Sequence, residues 1–331
     1  MKIYIISILT IFSLLFGVNK TGTTAAKFLT IGVGAKAIAM GDAYTSISDD
    51  ATAMFWNPAG MGKVKQNELY INHVVWVADI SFNYIGLVIP LSSSQTLGFN
   101  LTAVTMDEMD VTRYGNEDTG ETFKAGDYAL GIAYSRNLTD RFIVGVNTKY
   151  IRESISNCSA SGFAFDIGTI FETPFGFRLG SSISNFGPKM QMVGPDLLVP
   201  VDIDETIDGN NESTIGYLST DKFDLPLLLR VGISGDVILS NTRFTWSVDG
   251  NHPNDNSSYV NTGFELSLFK DIIQFRGGAK SLFMSNREDK YSVGLGLHYP
   301  LTSRNHFYFD YAYGLLEYLG DVQKMNLRIT F

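Results

Sequence analysis

The sequence has few of the residues that build common structural or catalytic sites. Cys158 is its single cysteine, so no disulfide can form within the chain. The four histidines show no metal-ligand spacing, and there is neither a Gly-x-Ser-x-Gly elbow nor a His-Glu-x-x-His motif. We therefore predict that the protein is not an enzyme and has no metal site and no cofactor.

Charge and long apolar runs are also scarce. Only 18% of the residues are charged, the net charge is −9, and no basic patch is interleaved with aromatics, which argues against nucleic acid as a partner. After residue 18 no apolar run is long enough for a membrane-spanning helix. Lys2, the apolar stretch 3–18 and small residues up to Ala26 are typical of a secretory signal. We expect residues 1–26 to be a signal peptide, cleaved between Gly17 and Ala26.

Most of the sequence consists of segments in which apolar and polar or small residues alternate. From about residue 67 to residue 331, segments recur in which every second residue is apolar, and 307–315 is the best example. Period two predicts strands with one apolar face. The apolar set is rich in Phe, Tyr, Leu and Val, whereas the other face carries Gly, Ser, Asn and isolated charges. This favours a transmembrane barrel in a bacterial outer membrane, with lipid outside and a polar lumen, over a soluble sandwich.

The pattern predicts an all-β fold, with an antiparallel barrel of about fourteen strands over residues 67–331. Every second connection is short, as at 137–140 and 173–174, whereas the other set includes the long loops 106–125 and 187–222. Outer-membrane barrels have short periplasmic turns and longer external loops, so we expect both ends of the barrel segment in the periplasm and the long loops outside. The predicted strands are 67–77, 80–91, 94–105, 126–137, 140–152, 161–173, 175–186, 223–238, 242–252, 258–268, 271–282, 289–300, 305–316 and 322–331.

Isolated charges fall on the face opposite the aromatic residues and should point into the lumen. A Lys or Arg facing lipid at mid-bilayer costs about 2–4 kcal/mol, which supports this register. Mixed signs favour ion pairs that fill the interior, and a charged permeation path is the alternative. The predicted lumen charges are Lys149, Asp166, Arg178, Arg230, Asp249, Glu265, Arg276, Lys280, Asp310 and Arg328.

Residues 27–66 do not alternate and are rich in small side chains. They predict a short helix over 35–43 and a second over 51–56, capped by Asp49 or Asp50 and stopped by Pro58. Such a compact segment ahead of a barrel fits as a plug, or hatch, in its lumen. Asn57-Pro58 is interpreted either as a tight turn that ends the plug or as an element that shifts to open a path.

The stretch from Phe28 to Met61 resembles the N-terminal motif of the PorV/PorQ family. The Asp-Asp-Ala and Asn-Pro-Ala elements are also similar to the hatch of FadL-type fatty-acid transporters. Both families have a fourteen-stranded barrel, which agrees with the strand number predicted above. The hatch residues that carry these resemblances include Gly41, Asp42, Asp49, Asp50, Trp56, Asn57, Pro58 and Ala59.

The resemblance implies a component of the type IX secretion system. Such barrels bind the C-terminal domains of secreted cargo and deliver them to subunits of the surface-attachment machinery. The FadL likeness implies, as an alternative, transport of a hydrophobic small molecule. That function needs an apolar pocket between hatch and wall, beside Met54, Phe55 and Trp56, and a lateral opening. A strand break at Gly86, Pro90 or Pro226 would favour it, and the alternative interpretation is that these residues lie at strand ends. A barrel with another, structural role is the third hypothesis.

The loop 187–222 is the candidate partner surface. Its first half is apolar and contains prolines, and exposed apolar patches tend to mark interaction sites. Its second half is acidic but lacks EF-hand spacing, so it is interpreted as a solvated loop, with a calcium-assisted or partner-binding surface as the alternative. The candidate residues are Met190, Met192, Pro195, Leu197, Leu198, Asp202 and Asp204.

Overall fold

The predicted barrel is present and closed. The computed structural model describes residues 21–75, 80–116, 119–202, 206, 214–284, 289–302, 304–316 and 321–331. Within these residues fourteen antiparallel strands pair in chain order, and the last pairs with the first. This confirms the all-β class and the number of strands. The barrel strands are β1 (Glu68–Val75), β2 (Ser81–Pro90), β3 (Gln95–Thr105), β4 (Ala125–Thr139), β5 (Phe142–Ile155), β6 (Cys158–Glu172), β7 (Phe177–Phe186), β8 (Leu228–Leu239), β9 (Thr242–Pro253), β10 (Tyr259–Leu268), β11 (Ile273–Leu282), β12 (Asp289–Pro300), β13 (His306–Leu316) and β14 (Asp321–Thr330).

Alternate residues of each strand face out of and into the barrel. In β12, Val293, Leu295 and Leu297 are exposed on the outside, while Ser292 is buried in the lumen. The same alternation holds in the neighbouring β13, where Asp310 is buried and Phe309 is exposed. An apolar outer face around a polar interior is the arrangement that a barrel presents to lipid.

The two rims of the barrel differ in their connections. At one rim, which we call the turn end, β4 and β5 are joined through residues 140–141. At the other rim, the loop end, the connections include 106–124 and 187–227. The loop end thus carries both long loops, as the strand count predicts. Which rim faces the periplasm stays a prediction.

The start of β8 differs from its predicted position. We expected this strand to begin at residue 223, but it begins at Leu228. Lys222–Phe223 instead pairs with Met190–Gln191 inside the loop. Pro226 cannot donate a ladder hydrogen bond, so the strand starts only after it.

Gly86, Pro90 and Pro226 do not mark a break in the described strands. Gly86 pairs with Tyr70 on one side and Asn100 on the other, so the ladder is continuous at this glycine. Pro90 is the last residue of β2, and Pro226 precedes β8, which are ordinary positions for proline at strand ends.

Irregular backbone occurs instead at polar residues near the loop end. The β6–β7 register shifts beside Asn185, and the β10–β11 register shifts beside Ser281. Both residues have left-handed backbone, with φ of 63° and 55°. A bulge inserts an extra residue and increases the local twist, so the wall bends at these two points.

Residues 27–66, which we call the plug, contain short helices. They are the 3₁₀ helices Lys27–Thr30 and Pro58–Lys63 and the α-helices α1 (Ala35–Ala39) and α2 (Ala53–Trp56). The predicted helix over 35–43 stops at Ala39, because Gly41 and Asp42 take positive φ values of 64° and 60°. None of the helices in the described ranges is long and apolar enough to cross a membrane.

The lumen charges predicted from the alternation are all buried or half-buried. Arg276 pairs with Glu265 at 2.7 Å and with Asp310 at 2.6 Å, and Lys149 pairs with Asp166 at 2.8 Å. Opposite charges brought together in a lumen fill it and stabilise each other. These contacts favour the interpretation as interior ion pairs over a charged permeation path.

Candidate functional site

The turn at Gly41 and Asp42 lies against the wall formed by β10, β11 and β12. The Gly41 N–H donates to Ser292 Oγ at 3.2 Å. A Cβ added at Gly278 would lie 2.1 Å from the Gly41 nitrogen, so the two backbones are in direct contact. Asp42 Oδ2 forms an ion pair with Lys280 Nζ of β11, at 2.8 Å. These two motif residues therefore position the plug on the wall.

Asp49 and Asp50 form a polar cluster with Tyr44 and Lys36 inside the plug. Lys36 Nζ lies 2.7 Å from Asp49 Oδ1, and the Tyr44 hydroxyl donates to Asp49 at 2.6 Å and to Asp50 at 3.0 Å. Burial alone would raise the pKa of Asp49, but the Lys36 ammonium and the Tyr44 hydroxyl hold it well below its usual value. Burial, followed by the two carboxylates, raises the pKa of Tyr44, so its hydroxyl remains a donor.

Of these two acids, only Asp50 bonds to the backbone at the start of α2. Asp50 Oδ1 accepts from the backbone N–H of Thr52 at 2.9 Å, two residues along the chain, immediately before α2. Asp49 faces Lys36 instead and takes no part in the helix start. Asp50 thus contributes to the start of the helix through a side-chain turn, in which its carboxylate accepts from the backbone two residues along the chain.

Replacing Asp49 with asparagine should lower the free energy of unfolding by about 1 kcal/mol or less at neutral pH, because the Asp49 side chain is 36% exposed and its ion pair is screened. The folded pKa of Asp49 is below its unfolded value of about 4, so its stabilisation is present above that pH and is lost as the pH falls. Urea unfolding at several pH values should show the two proteins converging below about pH 4. A difference that does not change with pH contradicts this role.

Trp56 and Asn57 connect the plug to a second part of the wall, formed by β6 to β8. Trp56 Nε1 donates to the carbonyl of Val33 at 2.9 Å, and the guanidinium of Arg230 lies 5.2 Å from its ring centre. Asn57 Nδ2 donates to the carbonyl of Thr169 in β6 at 3.0 Å. These contacts attach the plug to one part of the wall, between β6 and β8.

Pro58 and Ala59 do not end the plug, contrary to the tight-turn interpretation. Pro58 opens the 3₁₀ helix Pro58–Lys63, as its fixed φ allows at a first helical position. A Cβ at Gly145 would lie 2.3 Å from the Pro58 carbonyl carbon, and one at Gly168 would lie 2.9 Å from Pro58 Cδ. The Ala59 carbonyl accepts from Ser135 Oγ at 3.2 Å. The 3₁₀ helix can therefore pack against the wall only because Gly145 and Gly168 have no side chains.

The candidate partner residues divide between the interior and the surface. The prediction that Met190 belongs to the partner surface is wrong. Its side chain is 1% exposed and packs inside, against the plug and β6, so it cannot contact a partner. Pro195, Leu198 and Asp202 are exposed, and Met192 and Leu197 are half-buried. Asp204 lies outside the described residues.

The exposed apolar half of the loop pairs with a second strand that was not predicted from the sequence. Leu198–Val201 pairs with Thr214–Tyr217 as a small hairpin. Leu198 faces Tyr217 and Pro200 faces Ile215, so these four side chains share one face and all are exposed. The alternation of Ile215 and Tyr217 is the signal that could have revealed the second strand. The neighbouring Asp196 accepts hydrogen bonds from Asn157 at 2.9 and 3.1 Å, which fixes the base of the hairpin to the rim.

A cavity of about 500 Å³ lies between the plug and the wall at the loop end. Trp56 lines it, but Met54 does not, because Met54 is fully buried in the packed core. The cavity beside Trp56 therefore includes charged side chains and lacks Met54 and Phe55, which were named for the pocket that transport of a hydrophobic molecule would need. Across the described ranges, no group of three or more His, Cys, Asp or Glu side chains is placed to hold a metal ion.

The family model described as type IX secretion system protein PorV matches residues 17–203, more than half of the chain. The chain belongs to the PorV family. The matched region covers the plug, β1 to β7 and the first strand of the hairpin. No curated protein matches the sequence.

Solved structures similar to this PorV-family chain have a FadL-like fold. The toluene transporter TodX of Pseudomonas putida is 12% identical, with a TM-score of 0.59, and the match covers 90% of this chain and 97% of TodX. The toluene transporter TbuX of Ralstonia pickettii is 14% identical, with a TM-score of 0.55 and coverages of 90% and 97%. A FadL homologue of Pseudomonas aeruginosa is 13% identical, with a TM-score of 0.55 and coverages of 90% and 98%. At these identities the likeness shows the fold alone, which is a closed β-barrel.

Proposed function

We propose that this PorV-family barrel binds a secreted protein at its loop end and delivers it to the surface-attachment machinery. The observation that carries the proposal is the exposed apolar face of the hairpin, Leu198, Pro200, Ile215 and Tyr217. In a soluble environment such a face is costly, and apolar patches of this kind tend to be covered by a partner. The proposal places the loop end outside the cell and the turn end in the periplasm.

The plug supports a binding role because it is attached to the wall on several sides. Gly41 contacts β11, Trp56 stacks with Arg230 of β8, and Asn57 bonds to β6. In this proposal the plug keeps the lumen closed while cargo docks outside.

The test is binding of a purified cargo C-terminal domain from the same organism to the barrel in detergent. The variant Leu198→Ser/Ile215→Ser/Tyr217→Ser should bind at least about tenfold more weakly, because buried apolar and aromatic anchors dominate interface energies. Tyr114→Ser is the matched control, since Tyr114 is a fully exposed aromatic on another loop. Equal affinity of the triple variant and the native barrel would contradict the proposal.

Transport of a hydrophobic small molecule is the second candidate. The loop-end cavity favours it, and two of the structural neighbours are described as toluene transporters. However, Lys280, Lys324 and Arg230 in its lining suit a neutral hydrocarbon poorly. Toluene uptake into vesicles that contain the barrel, above that of empty vesicles, would promote this function over cargo binding.

A further inference from the structure

The base of the loop-end hairpin is fixed to the rim of the barrel. The backbone of Val193, which precedes the hairpin, exchanges hydrogen bonds with Ser159 of β6 at 2.8 and 3.0 Å. On the other side of the base, the Thr220 hydroxyl donates to the Met192 carbonyl at 2.6 Å. These contacts add to those of Asp196 with the rim. The two hairpin strands therefore start from a defined position.

The pairing of the hairpin shows which backbone groups point away from it. The Leu218 N–H donates to the Leu197 carbonyl at 2.9 Å, so this pair is of the hydrogen-bonded kind. Hydrogen-bonded and non-hydrogen-bonded pairs alternate along an antiparallel ladder. Residues in the non-hydrogen-bonded pairs direct their N–H and C=O groups outward, to the two edges of the hairpin. These pairs are Leu198–Tyr217 and Pro200–Ile215.

The edge along Leu198–Val201 is closed by a proline. Pro200 has no N–H, so a further strand would lack a donor at this position. Proline on an edge strand is one of the devices by which proteins prevent the addition of another strand. Its place also agrees with the pairing, since a proline whose nitrogen faced the other hairpin strand would remove a ladder bond.

The edge along Thr214–Tyr217 is open. Ile215 and Tyr217 direct two N–H donors and two carbonyl acceptors away from the hairpin, and no other strand in the described ranges pairs with this side. The strand has no proline, no lysine and no register shift, which are features that protect an exposed edge. Unpaired backbone groups of this kind can form ladder bonds with an extended segment of another chain. We call this side of the hairpin the open edge.

The chemistry of the loop indicates which kind of segment fits the open edge. Ile215 and Tyr217 are 71% and 50% exposed on one face, and alternate apolar side chains of an added strand would continue that face. Residues 187–222 carry two lysines and seven acidic residues, a net charge of −5. Such a surface attracts a positively charged partner and disfavours a negatively charged one. The fitting segment is thus extended and basic, with apolar residues at every second position.

We propose that the secreted partner adds an extended, basic segment to the open edge as a third strand. The segment bonds to the backbone of Ile215 and Tyr217, and its apolar side chains lie beside theirs on the exposed face. This inference rests on the proposed function for the origin of the segment, whereas the open edge is a property of the hairpin itself.

The first experiment uses the full chain in detergent and a fluorescein-labelled synthetic peptide, Lys-Val-Thr-Val-Thr-Val-Lys, with blocked ends. We expect saturable binding by fluorescence anisotropy. A peptide with glutamate in place of both lysines should bind at least about tenfold more weakly at low salt, and added salt should reduce the difference. A peptide of the same composition without the alternation should also bind more weakly. Equal binding of all three peptides would exclude recognition of a basic strand.

Two substitutions at Ile215 separate the backbone donor from the side chain. Ile215→Pro removes the outward N–H and leaves the ladder bonds within the hairpin, so peptide binding should weaken by about three- to tenfold, the worth of one net hydrogen bond. Ile215→Val keeps the N–H and most of the side chain and should bind as the native chain does. Pro200→Val alters only the closed edge and should not weaken binding. Equal affinities of Ile215→Pro and Ile215→Val would overturn the proposal.

Cross-linking tests the strand geometry without a proline substitution. Thr214→Cys is oxidised together with peptides that carry one cysteine at successive positions. The Thr214 backbone groups point into the hairpin, so an added strand meets this residue in a non-hydrogen-bonded pair, where side chains are closest. Because side chains alternate along a strand, disulfides should form at every second peptide position. Cys158 is buried and should not react. Equal cross-linking at all positions would exclude strand addition.

The cargo C-terminal domain distinguishes failure of this inference from failure of the proposed function. If the domain binds the native barrel and Ile215→Pro equally but loses affinity for the triple serine variant, cargo binding stands and strand addition is refuted. If the peptide shows the alternating cross-links but the domain does not bind, the open edge stands and cargo delivery is refuted.

Discussion

Replacing Gly278 with alanine should displace the plug from the wall and destabilise the barrel. A Cβ at this position would lie 2.1 Å from the Gly41 nitrogen and 2.3 Å from the Met40 carbonyl carbon. Both are backbone atoms, so no side-chain rotation relieves the clash. The facing Gly263 of β10 has the same relation to the plug, since its Cβ would lie 2.1 Å from the Met40 oxygen. The turn at Met40–Gly41 therefore has no free space on this side.

Overpacking a close contact costs about 1–3 kcal/mol, and more where backbone must move. We expect Gly278→Ala to lower the free energy of unfolding by at least this amount and to raise single-barrel conductance in planar bilayers, as the displaced plug admits ions. Gly250→Ala in β9 is the matched control, because its Cβ would meet only the Val231 oxygen, at 3.8 Å. Native conductance and native stability in Gly278→Ala would show that the plug is not seated by this contact.

Replacing Arg276 with methionine should cost about 3–5 kcal/mol of stability, the usual loss when one partner of a buried ion pair is removed. Arg276 Nε lies 2.7 Å from Glu265 Oε2, and Nη1 lies 2.6 Å from Asp310 Oδ1. Both carboxylates are nearly inaccessible to water. Without the guanidinium, two negative charges remain buried in the lumen with fewer compensating donors.

Urea unfolding in lipid vesicles measures this effect. Arg113→Met is the control, because the Arg113–Glu121 pair is on an exposed loop and should contribute about 0–1 kcal/mol. The triple variant Arg276→Met/Glu265→Gln/Asp310→Asn should recover part of the lost stability, since it leaves no uncompensated carboxylate at these positions. Similar small losses in Arg276→Met and Arg113→Met would refute a structural role for the lumen network.

Much of the fold could be predicted because its cause is local. Period-two alternation places Leu295 outward and Asp310 inward whatever the rest of the chain does. The strand number follows from counting such segments. The β8 start was wrong for an equally local reason: Phe223 continues the apolar pattern, but it pairs inside the loop, ahead of Pro226.

The candidate site was only partly predictable. The hatch motif identified Asp42 and Trp56, but the sequence does not indicate that their partners are Lys280 and Arg230, about two hundred residues away in β11 and β8. Met190 looked like a surface residue because its neighbours are apolar loop residues. The loop folds back over β6 and buries it, which depends on where the strand ends meet.

By itself, the sequence determined the barrel class, the inward and outward faces of its strands and the presence of a small-residue segment ahead of them. These follow from the alternation and from residue size, and both act over a few neighbouring residues. Only the tertiary structure decided which wall glycines receive the plug, which lumen charges pair and where the cavity and the apolar hairpin face lie. Closing the barrel sets those distances, because it brings residues of distant strands together around one lumen.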